Sequence, residues 1–250
     1  MSDTPSTRRL LAINPNMSSG VTDAFVTQAR AVAPAGTLIH GVTGTFGATI
    51  VSIEAENIIA SYAMLELLAK HALGYDAVIL AISFDSGLDG AREIMPIPVV
   101  GITEAALMAA AACSGSIGIV TFGAASLPLY ERLVRKYGLE QKVAGWEVVD
   151  VATTAGYLTP EAQDAAVVAS IQRLHDQGAT SAVITGTAIV GMAARLQPSL
   201  GIPVFDSAMP SVNAALAAIE NDPRPARRVK PLSTCTGVSI ELSTLIIGPS

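Results

Sequence analysis

The sequence predicts an α/β protein of two pseudo-symmetric lobes. Each carries a mostly parallel sheet flanked by helices, with the active site in the cleft between them. Three observations lead there. Half of the 250 residues are hydrophobic while only 4 % are aromatic, the composition of strands buried on both faces under close-packed helices. Short apolar runs alternate with longer helical patterns, the βαβα order of a parallel sheet covered on both sides. The second half of the chain then repeats the first.

The elements follow in order. "LLAIN" (Leu10–Asn14) reads as a strand, and "MSSGVTDAF" supplies Ser and Asp at the start of the next helix. "GTLIHGVT" (Gly36–Thr43) is a second strand. "TGTFGATIVSIEAE" (Thr43–Glu56) has no phosphate-loop spacing and is expected to form a lid or substrate-contact loop. "SIEAENIIASYAMLELLAKHAL" is the longest amphipathic helix pattern. "DAVILAI" (Asp76–Ile82) and "IPVVGIT" (Ile97–Thr103) are buried strands, with "EAALMAAAACS" the helix after the second.

In the repeat, "SIGIVTFG" takes the role of "LLAINPN", "TSAVITGTAI" that of "YDAVILAISF", and "GIPVFDSAMPSVNAA" that of "PIPVVGITEAALMAA". The spacings agree: Ser83 precedes Pro98 by 15 residues, and Thr187 precedes Pro203 by 16. A period this long marks a duplicated α/β lobe rather than a solenoid. The lobes are assigned to residues 1–112 and 113–212, with 213–250 expected to pack back on the first.

In open parallel sheets ligands sit beyond the carboxyl ends of the strands. Those ends carry Asn14, Ser83 and Thr103 in one lobe, and Thr121, Thr187 and Asp206 in the other. A pseudo-twofold relation would set Ser83 and Thr187 face to face across a ligand.

The same residues carry a family likeness. "AINPN", "SFDSGLDGAREIMPIPVVGITEAA", "GIVTF", "ITGTAIVGMA" and "IPVFDSA" resemble, in this order, the aspartate/glutamate/hydantoin racemase superfamily and especially its hydantoin racemase branch. The likeness runs from about Leu10 to Ala215, and the middle block is its most specific part. It implies cofactor-independent chemistry at a carbon next to a carbonyl. In such enzymes one cysteine removes the α-proton as thiolate while a second delivers a proton to the opposite face. The first would align with Ser83 and the second with Thr187, so both thiols are replaced. A thiol of pKa about 8.5 exchanges acid and base roles near neutral pH. A hydroxyl needs a separate base, yet donates hydrogen bonds to an oxyanion well.

Ser83 and Thr187 are therefore the leading catalytic candidates, with Asp85 the first place to look for the displaced base. A serine at such a turn is otherwise a helix N-cap, and an aspartate there an Asx-turn. Asn14, Phe84, Thr121, Ala188 and Asp206 are the substrate-contact candidates, Asp206 matching an aspartate of the related enzymes. His40, His71 and His175 have no motif partner and are assigned surface or capping roles. Cys113 is assigned to core packing.

Composition limits the partners. The formal charge of −6 implies no basic surface for nucleic acid. The cluster "RPARRVK" (Arg224–Lys230) reads as a solvated loop, with phosphate or carboxylate contact the alternative. Two cysteines make neither a disulfide framework nor a metal site. No apolar window approaches the roughly 18 residues of a membrane span. The N-terminal stretch lacks the long apolar segment of a signal peptide, so a cytoplasmic location is expected. Small-residue helices suggest a homo-oligomer, and the expected partner is a small-molecule substrate with no metal or cofactor. An isomerase ranks first. A lyase or decarboxylase, a Ser/Thr hydrolase on the same scaffold, and a binding protein that has lost catalysis stay open. Against the hydrolase, Ser83 lies outside any G-x-S-x-G elbow.

Overall fold

The computed structural model describes residues 7–151, 153–157, 159–221 and 231–248. The basic cluster Arg224–Lys230 lies outside them. Two four-stranded sheets, parallel throughout, share one topology. The first is β1 (Arg8–Asn14), β2 (Thr37–Thr43), β3 (Ala77–Leu80) and β4 (Val99–Gly101), in the order 2-1-3-4. The second is β5 (Ser116–Phe122), β6 (Val143–Val149), β7 (Ala179–Ile184) and β8 (Val204–Phe205), in the order 6-5-7-8. The repeat read from sequence is thus a repeat of sheet order.

Helices α1 (Ser19–Val32), α2 (Glu54–His71), α3 (Leu88–Ile94) and α4 (Ile102–Ala111) follow the strands of the first half. In the second half come α5 (Leu127–Lys136), α6 (Thr154–Tyr157), α7 (Asp164–Asp176), α8 (Met192–Leu196), α9 (Ala208–Asn221) and α10 (Ile240–Ile247). Ser18 caps α1, its hydroxyl accepting the Val21 N–H, as the Ser-rich start predicts. Pro210 is accommodated within α9. It is the third residue of the helix, where the missing N–H has no intrahelical acceptor to lose.

Strand pleating sorts the core. Leu10, Ala12, Ala77 and Ile79 pack with α1 and with Val212 and Ala215 of α9, while Leu11, Ile13, Val78 and Leu80 pack with α2 and α3. In the second sheet Ile117, Ile119 and Val183 meet Ala106, Leu107 and Ala110 of α4, and Val120, Ala182 and Ile184 meet α7 and α8. The helices after the last strand of each sheet therefore cross over. The one following β4 covers the second sheet, and the one following β8 covers the first. Leu129, Tyr130 and Leu133 of α5 also join the first sheet's core, so the two halves are packed through one another.

The last helix is tethered by a carboxylate. Glu66 of α2 is buried, and its Oε1 accepts the Ser239 N–H at 3.0 Å and the Tyr62 hydroxyl at 2.8 Å. Ser239 in turn caps α10. Glu66→Ala should strip residues 240–247 of amide-exchange protection while costing the rest of the protein about 1–2 kcal/mol. Unchanged protection there would mean that apolar packing alone holds α10.

Candidate active site

Ser83 stands three residues past the end of β3 and Thr187 three past the end of β7, so the shared topology delivers them to equivalent loops. They meet. The two hydroxyl oxygens are 3.1 Å apart, and the Thr187 N–H donates to Ser83 Oγ at 3.0 Å. Ser83 is no cap for α3, which begins at Leu88 behind a left-handed Gly87. The pair lies in a cavity of about 470 Å³, including its open mouth.

Of the predicted contacts, Phe84 and Ala188 line this cavity with Ser83 and Thr187. Asn14 and Thr121 do not. Both are fully buried at the ends of the central strands, one step behind the residue that reaches the cavity. The Asn14 Nδ2 donates to Asn16 Oδ1 at 2.8 Å, and Asn16 lines the cavity. Thr121 Oγ1 lies 3.1 Å from Ser126 Oγ, and Ser126 lines it. A strand-end polar group here shapes the following turn, and the turn supplies the lining side chain.

Asp206 likewise stands behind the cavity. Its carboxylate accepts the N–H groups of Gly191 and Ala193, at 2.8 and 3.0 Å, and of Ala208 at 3.0 Å. It fixes the loop that carries Thr187 to the start of α8. Asp85 is turned away from the Ser83–Thr187 pair. Its Oδ1 accepts the Thr103 N–H at 3.0 Å, and its Oδ2 accepts the Glu104 N–H at 2.8 Å and the Tyr137 hydroxyl at 2.6 Å. Thr103 belongs to the first turn of α4 rather than to a strand. The geometry thus gives Asp85 an Asx-like, helix-capping position, facing away from Ser83 and Thr187.

Asp85 is nevertheless unusual. Burial is the largest influence on it and pushes its pKa up to about 6, against the lowering effect of Tyr137 and the two amides. Among the described residues it is the one non-glycine with a left-handed backbone, φ +48°. Room for it exists because Gly101 has no side chain, since a Cβ there would fall 2.5–2.8 Å from the carboxyl atoms.

Sequence reasoning missed two aromatic residues, Tyr130 and Tyr157, both of which line the cavity. The Tyr130 hydroxyl interacts with those of Ser83 and Thr185, and burial drives its pKa upward, so it stays a proton donor. Tyr157 donates to the Phe122 carbonyl. A usable signal lay in the scarcity of rings: the chain has five Phe and five Tyr, and Phe84, Phe122, Tyr130 and Tyr157 all face this one cavity. The loop expected to serve as a lid contributes Ile50 and Val51. Among the described residues, no lining residue carries a charge, a thiol or an imidazole. Cys113 is half-buried just past the end of α4, not core, and Cys235 is exposed. His40 sits by the Tyr75 hydroxyl and His175 by the Ala179 carbonyl, both away from the cavity.

Two facing lobes of this topology, with a cleft at their strand ends, define a racemase-type scaffold, and the chain belongs to the Asp/Glu/hydantoin racemase family, whose model matches residues 10–215. Among its relatives, the hydantoin racemase of Paenarthrobacter aurescens is 28 % identical over 201 residues, 79 % of this chain and 85 % of that one. The allantoin racemase from Klebsiella pneumoniae superposes with a TM-score of 0.79 at 27 % identity, covering 88 % of this chain and 90 % of that chain. The allantoin racemase from Pseudomonas fluorescens does so with a TM-score of 0.79 at 26 % identity, covering 91 % and 99 %.

The Asp85 environment makes stability depend on pH. A folded-state pKa near 6 against an unfolded value near 4 means that the folded protein holds this proton more tightly. This group's contribution is most favourable below pH 4 and declines as pH rises to about 6. At about 1.4 kcal/mol per pH unit, the loss across that window is roughly 3 kcal/mol. Asp85→Asn should flatten the urea-unfolding free energy between pH 4 and 6. An unchanged slope would show that other groups set it.

Proposed function

We propose that this protein is a cofactor-independent isomerase of the racemase type. In this reading it inverts a carbon next to a carbonyl in a small neutral ring, using hydroxyl and amide groups where its relatives would use thiols. The observation that carries it is the contact between Ser83 and Thr187, 3.1 Å apart at equivalent positions of the two lobes. Seating an α-carbon between them requires the two hydroxyls to part from this direct contact to roughly 7 Å, about two van der Waals contacts, after which each faces one side of it. Its proton passes to a solvent water, leaving an enolate whose oxygen the hydroxyls bind, and a proton returned from solvent on the other face completes the inversion.

The donors suit the enolate. Ser83, Thr187 and Tyr130 supply hydroxyls to a largely apolar cavity, while the Thr185 hydroxyl already donates to the Val120 carbonyl at 3.1 Å. In such a cavity, prearranged donors stabilise developing oxygen charge more than water would. Asn16 and Ser126 are assigned to ring contacts in place of Asn14 and Thr121, with Phe84 and Ala188 as apolar walls. Neutral hydroxyls are poor bases, so the ring must itself be a reasonable carbon acid.

Charge argues for the same substrate class. Among the described lining residues a carboxylate or ammonium would find no ionic partner, at a cost of several kcal/mol. Hydantoin and allantoin, which the relatives' names specify, are uncharged rings. The reading extends to a cytoplasmic enzyme. It also includes self-association, supported by the exposed apolar side chains of Ile58, Ile59 and Tyr62 on α2.

In deuterated water, 5-substituted hydantoins or allantoin should lose optical activity as deuterium enters the α-carbon, whereas aspartate and glutamate should not exchange. Silence across neutral rings would overturn the reading. Restoring the thiols in the Ser83→Cys/Thr187→Cys double variant should raise the exchange rate by about tenfold or more, the lower range expected of a positioned acid–base pair. A rate no higher than wild type would mean that the two positions do not flank the reacting carbon.

A further inference from the structure

Each loop that brings a hydroxyl to the cavity is pinned from behind by a buried carboxylate, but the two pins differ. Asp206 satisfies itself wholly within the second half of the chain, on Gly191, Ala193 and Ala208. Asp85 takes two amides from α4 and a third donor, Tyr137, from the residue that ends α5. Tyr137 packs against the apolar cores of both sheets. The Ser83 loop is further tied to the same helix turn, since the Thr103 hydroxyl donates to the Ser83 carbonyl at 2.5 Å.

We propose that Tyr137 is a positioning residue for Ser83, acting through Asp85 as a latch between the two lobes. A strained backbone at Asp85 persists only when its surroundings over-determine it. Here Gly101 leaves the space and three donors fix the carboxylate. Two residues upstream, that carboxylate sets where Ser83 Oγ meets the Thr187 N–H. The neighbouring charges are already engaged: Glu104 with Arg92, and Asp89 with Lys136, whose ammonium lies 5.7 Å from the Tyr137 ring centre. No other phenol or cation is bonded to the Asp85 carboxylate among the described residues. Tyr137 touches neither the cavity nor a reacting atom.

The catalytic part of this proposal rests on the racemase reading; the structural part does not. Tyr137→Phe keeps the ring and removes the latch. It should raise amide exchange in residues 83–88 and 185–191 while leaving the strands protected. Turnover should fall roughly tenfold, the scale of one lost hydrogen bond, with KM within about twofold. In a Ser83→Ala background Tyr137→Phe should cost nothing further, because its effect passes through Ser83. Gly101→Ala, which crowds the carboxylate and leaves Tyr137 intact, should reproduce the loop exchange. Unchanged exchange in both loops, or the same turnover loss with Ser83 absent, overturns the latch. If wild type turns over no carbon acid, the racemase reading fails and loop exchange alone decides the latch.

Discussion

The crossing of α4 and α9 is the constraint on which the rest depends. Each helix leaves the last strand of one sheet and buries its small-residue face against the other sheet. Alanines at Ala105, Ala106, Ala110, Ala208 and Ala215 let helices and strands approach closely, and close packing makes their spacing stiff. The lobes are therefore joined by shared core rather than by a hinge alone. The facing positions of Ser83 and Thr187 are inherited from that core.

Charge is arranged around the same frame. The carboxylates nearest the site, Asp85 and Asp206, point backwards into helix starts, and the cavity keeps hydroxyls, amides and apolar walls. A carboxylate that holds a loop need not titrate in the reaction it supports. Keeping it out of the cavity preserves a low-dielectric space, where neutral donors act most strongly on developing charge. The pins run in opposite directions. In the first lobe the loop after β3 supplies the carboxylate, and in the second the loop after β7 supplies the amides. Sheet order is duplicated; the means of fixing the loops is not.

The sheets and the central pair were legible because they depend on local and repeated features. Fully buried parallel strands appear as unbroken apolar runs, as at Val78–Leu80, and matched spacings in the two halves point to Ser83 and Thr187 as counterparts. The remaining site residues depend on what the turn does after the strand, which spacing does not encode. Hence Asn16 lines the cavity rather than Asn14, and Ser126 rather than Thr121. Asp85 is a candidate base in sequence because it stands two residues past Ser83, yet its partners in space are Thr103, Glu104 and Tyr137, between 18 and 52 residues away. Tyr130 sits on an amphipathic helix, where one buried ring reads as ordinary core.

The crossover also orders the birth of the molecule. Residues 102–205 hold the second sheet together with α4, so that sheet's inner face finds its helix within one continuous stretch of chain. The first sheet has no such luck: its strands are complete by Gly101, but the face formed by Leu10, Ala12, Ala77 and Ile79 waits for Val212 and Ala215, more than a hundred residues later. Closing so long a loop is slow, and apolar strands left uncovered meanwhile are prone to wrong partners. On a ribosome that face would stay uncovered while the whole of the second sheet is made, until α9 follows β8. Chaperone demand should therefore fall on the N-terminal strands.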